Sequence, residues 1–124
     1  MAGHFRLYTD ADIDGPVVTA LKRGGWDVLR GIDAYPERTP DLVHFERAAN
    51  DRRVLVSNDL DMKALGEKWF EDGRRFTGLI WWPRSHYRRM TPGDFLRSFE
   101  DLAALENPFS PYPIVYIKPK VDPR

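Results

Sequence analysis

Five aspartates stand where chemistry could gather. Asp10 and Asp12 end the segment Leu7-Tyr8-Thr9-Asp10-Ala11-Asp12, Asp41 follows Thr39-Pro40, and Asp59 and Asp61 end Val54-Leu55-Val56-Ser57-Asn58-Asp59-Leu60-Asp61. The chain uses 13 Asp against 6 Glu. Aspartate is the poorer helix former and favours caps and turns, so this excess predicts either many helix caps or a carboxylate cluster at loop positions. A single aspartate at a helix start is a favoured cap, meeting unpaired N–H groups and the positive end of the dipole. Capping accounts for Asp14 before Gly15-Pro16 and for Asp94 after Thr91-Pro92-Gly93. It accounts less well for aspartate at three successive strand-to-helix junctions, twice as Asp-x-Asp. Gathered like charges repel and call for a cation. Oxygen donors with no Cys or His among them suit a hard ion, Mg²⁺ or Mn²⁺. Mg²⁺ on a few carboxylates, with water and phosphate completing the shell, is the usual arrangement for phosphoryl chemistry.

The elements that must position these residues follow from the hydrophobic pattern. Residues 4–9 alternate like a strand. Asp14-Gly15-Pro16 opens a helix carrying Val17, Val18 and Leu21, which Gly24-Gly25 closes. Residues 26–30 form a second strand, and residues 31–38 a loop. Thr39 caps the next helix, with Pro40 at its first position, Asp41 in its first turn and Leu42, Phe45 and Ala49 on one face. Residues 53–57 form an apolar run unbroken on both faces, as a central parallel strand requires. A helix over residues 62–72 would bury Ala64, Leu65, Trp69 and Phe70. Residues 77–82 give a fourth strand. Thr91 opens a last helix with Phe95, Leu96, Phe99, Leu102 and Leu105, and residues 114–117 could add an edge strand. This alternation predicts an α/β/α sandwich around a mainly parallel sheet. In such a sheet every strand ends on the same edge, so right-handed crossovers bring Asp10, Asp12, Asp41, Asp59 and Asp61 together.

Composition narrows the function classes. The 124 residues suit one domain, with a core over about residues 4–106 and a Pro-rich tail over 107–124. No apolar run approaches the roughly 18 residues of a membrane span. The N-terminus lacks the apolar stretch of a secretory signal, so the expected location is the cytoplasm. Zero cysteines exclude disulfides and thiolate chemistry. Net charge is zero, which supplies no bulk basic field for nucleic acid. The balance hides a gradient, with residues 1–61 at −3 and residues 62–124 at +3.

The basic segment Trp82-Pro83-Arg84-Ser85-His86-Tyr87-Arg88-Arg89 leaves the fourth strand on the same edge. Arg84, His86, Arg88 and Arg89, interleaved with aromatics, can hold phosphates and stack bases, or form a solvated turn. His44, three residues past Asp41, could face the site, although filler is the commoner role for such a residue. His4 reads as incidental, and the four tryptophans as core or partner contacts.

Three segments, "LYTDADIDGPVVTALKRGGWDV", "TPDLVHFERAANDRRVLVSNDLDM" and "FTGLIWW", resemble the small stand-alone PIN-like domains, often the toxin half of toxin–antitoxin pairs. The carrying features are Asp10, Gly25-Trp26-Asp27-Val28, Asp41 with Ala48, residues 53–62, and Gly78-Leu79-Ile80. The resemblance spans residues 5 to about 82. It implies a three-layer sandwich and metal-dependent cleavage of RNA by in-line attack of water on a phosphodiester. It also implies metal binding by Asp10, Asp41 and Asp59, with Asp61 a direct or water-bridged ligand, and with Ser57 and Asn58 near the substrate. Asp10-Ala11-Asp12 stands where the family commonly has Asp-Glu-Asn, so Asp12 either adds a carboxylate or lies idle. Ser57 replaces the usual Thr and keeps the hydroxyl, and Met62 replaces the usual Phe. The implied partners are RNA, a cognate antitoxin and a second copy of the chain.

Two other functions fit the residues. One is a PIN-like fold kept as a non-catalytic interaction module, against which the intact acids speak. The other is a different Mg²⁺-dependent phosphoryl enzyme, such as a phosphatase or a receiver-like domain. Receivers also want a Thr/Ser and a Lys after later strands, and the segment after Trp82 is read as offering no Lys.

Overall fold

Val54, Leu55, Val56 and Ser57 are sealed on both faces, because helices cover both sides of the strand they form. In the computed structural model, which describes residues 3–119, this strand is the centre of a five-stranded, all-parallel sheet. The strands are β1 (Leu7–Thr9), β2 (Val28–Arg30), β3 (Val54–Ser57), β4 (Leu79–Trp81) and β5 (Ile114–Tyr116), in the order β2-β1-β3-β4-β5. The helices are α1 (Gly15–Arg23), α2 (Gly31–Ala34), α3 (Asp41–Asn50), α4 (Leu60–Glu71) and α5 (Pro92–Ala103), with a 3-10 turn at Arg84–Arg88.

Period-two alternation sorts the strand side chains into two cores. Leu7, Val54, Val56 and Ile80 pack with Val17, Val18 and Leu21 of α1 and with Phe95, Phe99 and Ala103 of α5. Tyr8, Leu55, Leu79 and Trp81 face the other way, toward Phe45 and Ala48 of α3 and Met62 and Trp69 of α4. The result is a three-layer α/β/α sandwich. The chain steps from β1 to β2 on the α1 face and returns to β3 on the α3 face. The crevice between β1 and β3 is therefore the switch point of a doubly wound sheet, where such folds bind ligands. No helix among the described residues is long and apolar enough to cross a membrane.

Several expectations need correction. The strands are shorter than their apolar runs. Residues 31–38 are not plain loop, since α2 lies there, and the basic segment after β4 winds into a 3-10 turn. Helix α3 starts at Asp41, with Pro40 before it as the cap residue, and Thr39 donates its hydroxyl to the Pro36 carbonyl at 2.6 Å instead. On α3 the buried face is His44, Phe45 and Ala48, while Leu42 is 43% exposed. Helix α4 begins at Leu60 and buries Met62, Gly66 and Trp69, leaving Phe70 and Ala64 outside. Asp14 sits at the α1 cap position but makes no side-chain cap bond. Thr91 and Asp94 do form a reciprocal capping box at α5. His4 is not incidental: it stacks on Trp26 at 4.0 Å, and its Nε2 lies 2.9 Å from Glu100 Oε2.

Candidate metal centre

Four of the five aspartates leave strand C-termini and the fifth opens α3, so the parallel sheet delivers all of them to one edge. Asp10, Asp12 and Asp59 each offer one oxygen within 4.8 Å of the others, and so do Asp41, Asp59 and Asp61. Asp59 belongs to both groups. These triads could hold a metal ion, and they have oxygen donors alone, the set a hard cation takes.

Asp10 anchors the arrangement. It follows β1, is 9% exposed, and accepts hydrogen bonds from the Ser57 hydroxyl at 2.9 Å and the Ala11 N–H at 2.7 Å. Burial pushes its carboxyl above the usual range, and the neighbouring charges of Asp12 and Asp59 add to that push; the Ser57 and Ala11 hydrogen bonds oppose it. Asp41 is raised as well, first by burial and then by Asp59, Asp10 and Asp61. A shared acidic environment thus unites residues that lie 49 positions apart in the chain, from Asp10 to Asp59.

Capping explains part of this set only. Asp59 is the true cap of α4, its Oδ1 accepting the Asp61 N–H at 2.9 Å. Asp41 lies one residue past the cap position of α3, which Pro40 occupies, and Asp10 heads no helix. These two carboxylates are held beside Asp59 without the capping role that would otherwise account for them.

The residues expected to meet substrate divide. Ser57 is 0% exposed. Its hydroxyl donates to Asp10 and accepts from the Asp59 N–H at 3.0 Å, so it orients two acids from beneath instead of touching a ligand. Asn58 is 5% exposed and donates Nδ2 to the Asp12 carbonyl at 3.2 Å and to the Tyr87 hydroxyl at 3.0 Å. It too is a brace. Arg84 does reach the cluster, pairing with Asp12 Oδ2 at 2.8 Å. The side chains of His86 and Arg88 make no contact with the acids among the described residues, and Arg89 lines a separate hollow with Met90, Asp94 and Arg97.

Two contributors escaped the sequence reading. Tyr87 ties the 3-10 turn to the acidic loop by accepting from Asn58 and from the Asp14 N–H at 3.2 Å. The segment after β2 forms the far wall of a cleft of about 450 Å³, with Gly31, Ile32, Tyr35, Arg38 and Thr39 facing Asp10, Asp41 and Asp59. An Asp-Ala-Tyr-Pro stretch carries no periodic signal, so nothing in the residues marked it.

No family model, curated protein or solved structure matches the chain.

Proposed function

We propose that this protein is a metal-dependent ribonuclease of PIN-like type, using Mg²⁺ or Mn²⁺ on Asp10, Asp12, Asp41, Asp59 and Asp61 to hydrolyse RNA phosphodiesters. The observation that carries this reading is the pair of carboxylate triads sharing Asp59 at the β1/β3 switch point. Bound there, the cation would lower the pKa of a ligated water and offset charge on the phosphoryl oxygens. The chain's own residues do the rest. Ser57 fixes Asp10 and Asp59, Asn58 and Tyr87 fix the loop of Asp12, and Arg84 places a positive group beside the acids for the strand's backbone. Under this reading the partners are RNA, an antitoxin that silences the cleft, and a second copy of the chain.

The test is cleavage of a mixed single-stranded RNA pool with and without Mg²⁺. Cutting that needs metal and disappears in Asp59→Asn, with circular dichroism unchanged, supports the proposal. Absence of cutting by the wild type at any divalent ion overturns it.

One observation favours a second reading, phosphoryl transfer through an aspartyl phosphate. Strand β5 ends at Tyr116, and Lys118 follows on the edge that carries the acids. It supplies a lysine after a later strand, against the expectation that none follows Trp82. Incorporation of phosphate from acetyl phosphate and Mg²⁺, lost in Asp59→Asn, would support this reading over the nuclease.

A further inference from the structure

His44 is a buried polar wall of the cleft that the carboxylate chemistry leaves unused. It stands one helical turn past Asp41 on α3, is 8% exposed, and lines the same cavity as Asp10, Asp41 and Asp59. Its ring is fixed from the Nδ1 side. Nδ1 lies 2.6 Å from the Tyr8 hydroxyl, and the Tyr35 ring meets the imidazole edge-on at 5.4 Å. Gly31 presents bare backbone to it: a Cβ there would lie 3.2 Å from Nδ1 and 3.2 Å from the Thr9 carbonyl oxygen.

The hydroxyl decides the tautomer. Tyr8 is 0% exposed, and a phenol carries its proton at neutral pH. That proton has one acceptor among the described residues, His44 Nδ1. Tyr8 therefore donates to Nδ1, and the neutral imidazole carries its hydrogen on Nε2. Nε2 has no protein partner among the described residues. It is also absent from the sealed, unpartnered side-chain atoms, which are Thr9 Oγ1, Asn58 Oδ1 and the indole nitrogens of Trp69 and Trp82. The N–H thus opens on the cleft. Carboxylates offer acceptors only, whereas an anionic ligand arriving with a cation needs donors as well.

We propose that His44 is a substrate-contacting residue, its Nε2–H donating a hydrogen bond to a non-bridging phosphoryl oxygen of a phosphodiester held beside Asp10, Asp41 and Asp59. The inference rests on the cluster being a phosphoryl site, and Tyr8 is the positioning residue that selects the tautomer. It assigns the α3 wall of the cleft to phosphate contact, where the residue pattern pointed to the basic turn after β4.

The experiment is ¹⁵N imidazole NMR on the full chain, with dimethyl phosphate and Mg²⁺ as the probe. The expected spectrum shows Nδ1 as an acceptor and Nε2 protonated, with the Nε2 resonance moving when probe and metal are added together. Tyr8→Phe should mix the tautomers while leaving the fold intact by circular dichroism. Loss of a hydrogen bond to a charged group predicts that His44→Phe weakens probe binding by about 10- to 150-fold. His44→Gln, which can still donate, should retain most of it. A hydrogen on Nδ1 in the wild type, or an Nε2 resonance unmoved by probe and metal, overturns the proposal. The two readings fail separately. An Nε2 shift in a protein that cuts no RNA keeps the phosphate contact and removes the nuclease. Metal-dependent cutting with the same kcat and KM in His44→Phe keeps the nuclease and removes the contact.

Discussion

Replacing Asp10 with asparagine should stabilise the metal-free protein and reduce its stabilisation by metal. The Asp10, Asp12 and Asp59 oxygens lie within 4.8 Å of one another. Two unit charges at that separation repel by about 3.5 kcal/mol at an effective dielectric of about 20 and by about 0.9 kcal/mol in bulk water. Arg84 offsets part of the charge on Asp12, but burial is the largest source of strain on the Asp10 carboxylate, followed by repulsion from Asp12 and Asp59. Against its relief stands the weaker hydrogen bonding of a neutral acceptor to Ser57 and Ala11, roughly 1 kcal/mol. The balance is a gain of about 1–2 kcal/mol, or roughly 4 °C of Tm per kcal/mol for a domain of this size. With metal at about a hundredfold excess over its Kd, the wild type gains about 2.7 kcal/mol and overtakes the variant.

The pH dependence has a definite sign. Asp10's carboxyl is raised in the folded state above its ordinary 3.8, so the native protein binds more protons than the unfolded chain between those values, and stability falls as pH rises through that window. The advantage of Asp10→Asn therefore vanishes below 3.8, opens as pH climbs, and is complete above the raised value. Urea denaturation in chelator and in Mg²⁺, repeated across that range, measures all of this. A variant that is less stable without metal and gains as much from metal as the wild type refutes the reasoning.

Two further predictions follow from the same contacts. Ser57→Ala removes the acceptor of the Asp59 N–H and a donor to Asp10; it should destabilise by about 1–3 kcal/mol and push Asp10's carboxyl still higher, and an unchanged urea midpoint would count against the bracing role. Arg84→Ala breaks an exposed pair and should change metal-free stability by less than about 1 kcal/mol. The same change should tighten Mg²⁺ binding, because Asp12 is no longer neutralised, so weaker binding by calorimetry contradicts the placement of Arg84.

Much of the site was legible because its positions depend on few variables. The run Val54-Leu55-Val56-Ser57 has apolar residues on both faces, so a central parallel strand follows, and the aspartates beyond it must land on the ligand edge. The two Thr-Pro helix starts show where such reading stops. Thr91 has Asp94 three residues on to complete a reciprocal cap, whereas Thr39 has Leu42 there and turns its hydroxyl to Pro36. The inward face of α3 is His44, Phe45 and Ala48, with Leu42 outside and Ala49 partly buried at the edge of the core. Tyr87 and the wall after β2 were illegible for a different reason. Their roles depend on contacts with Asn58 and with the acid loop that no local pattern encodes.

The claim that these carboxylates form a metal centre, and are not simply caps and turn residues, is tested most directly by Mn²⁺ titration of the wild type beside Asp59→Asn, Asp12→Asn and Asp61→Asn. Because Asp59 is shared by both triads, its loss should abolish Mn²⁺ binding, while the Asp12 and Asp61 variants each weaken it and retain the fold. Binding that persists unchanged in Asp59→Asn, or a wild type that takes up no Mn²⁺, would contradict the account.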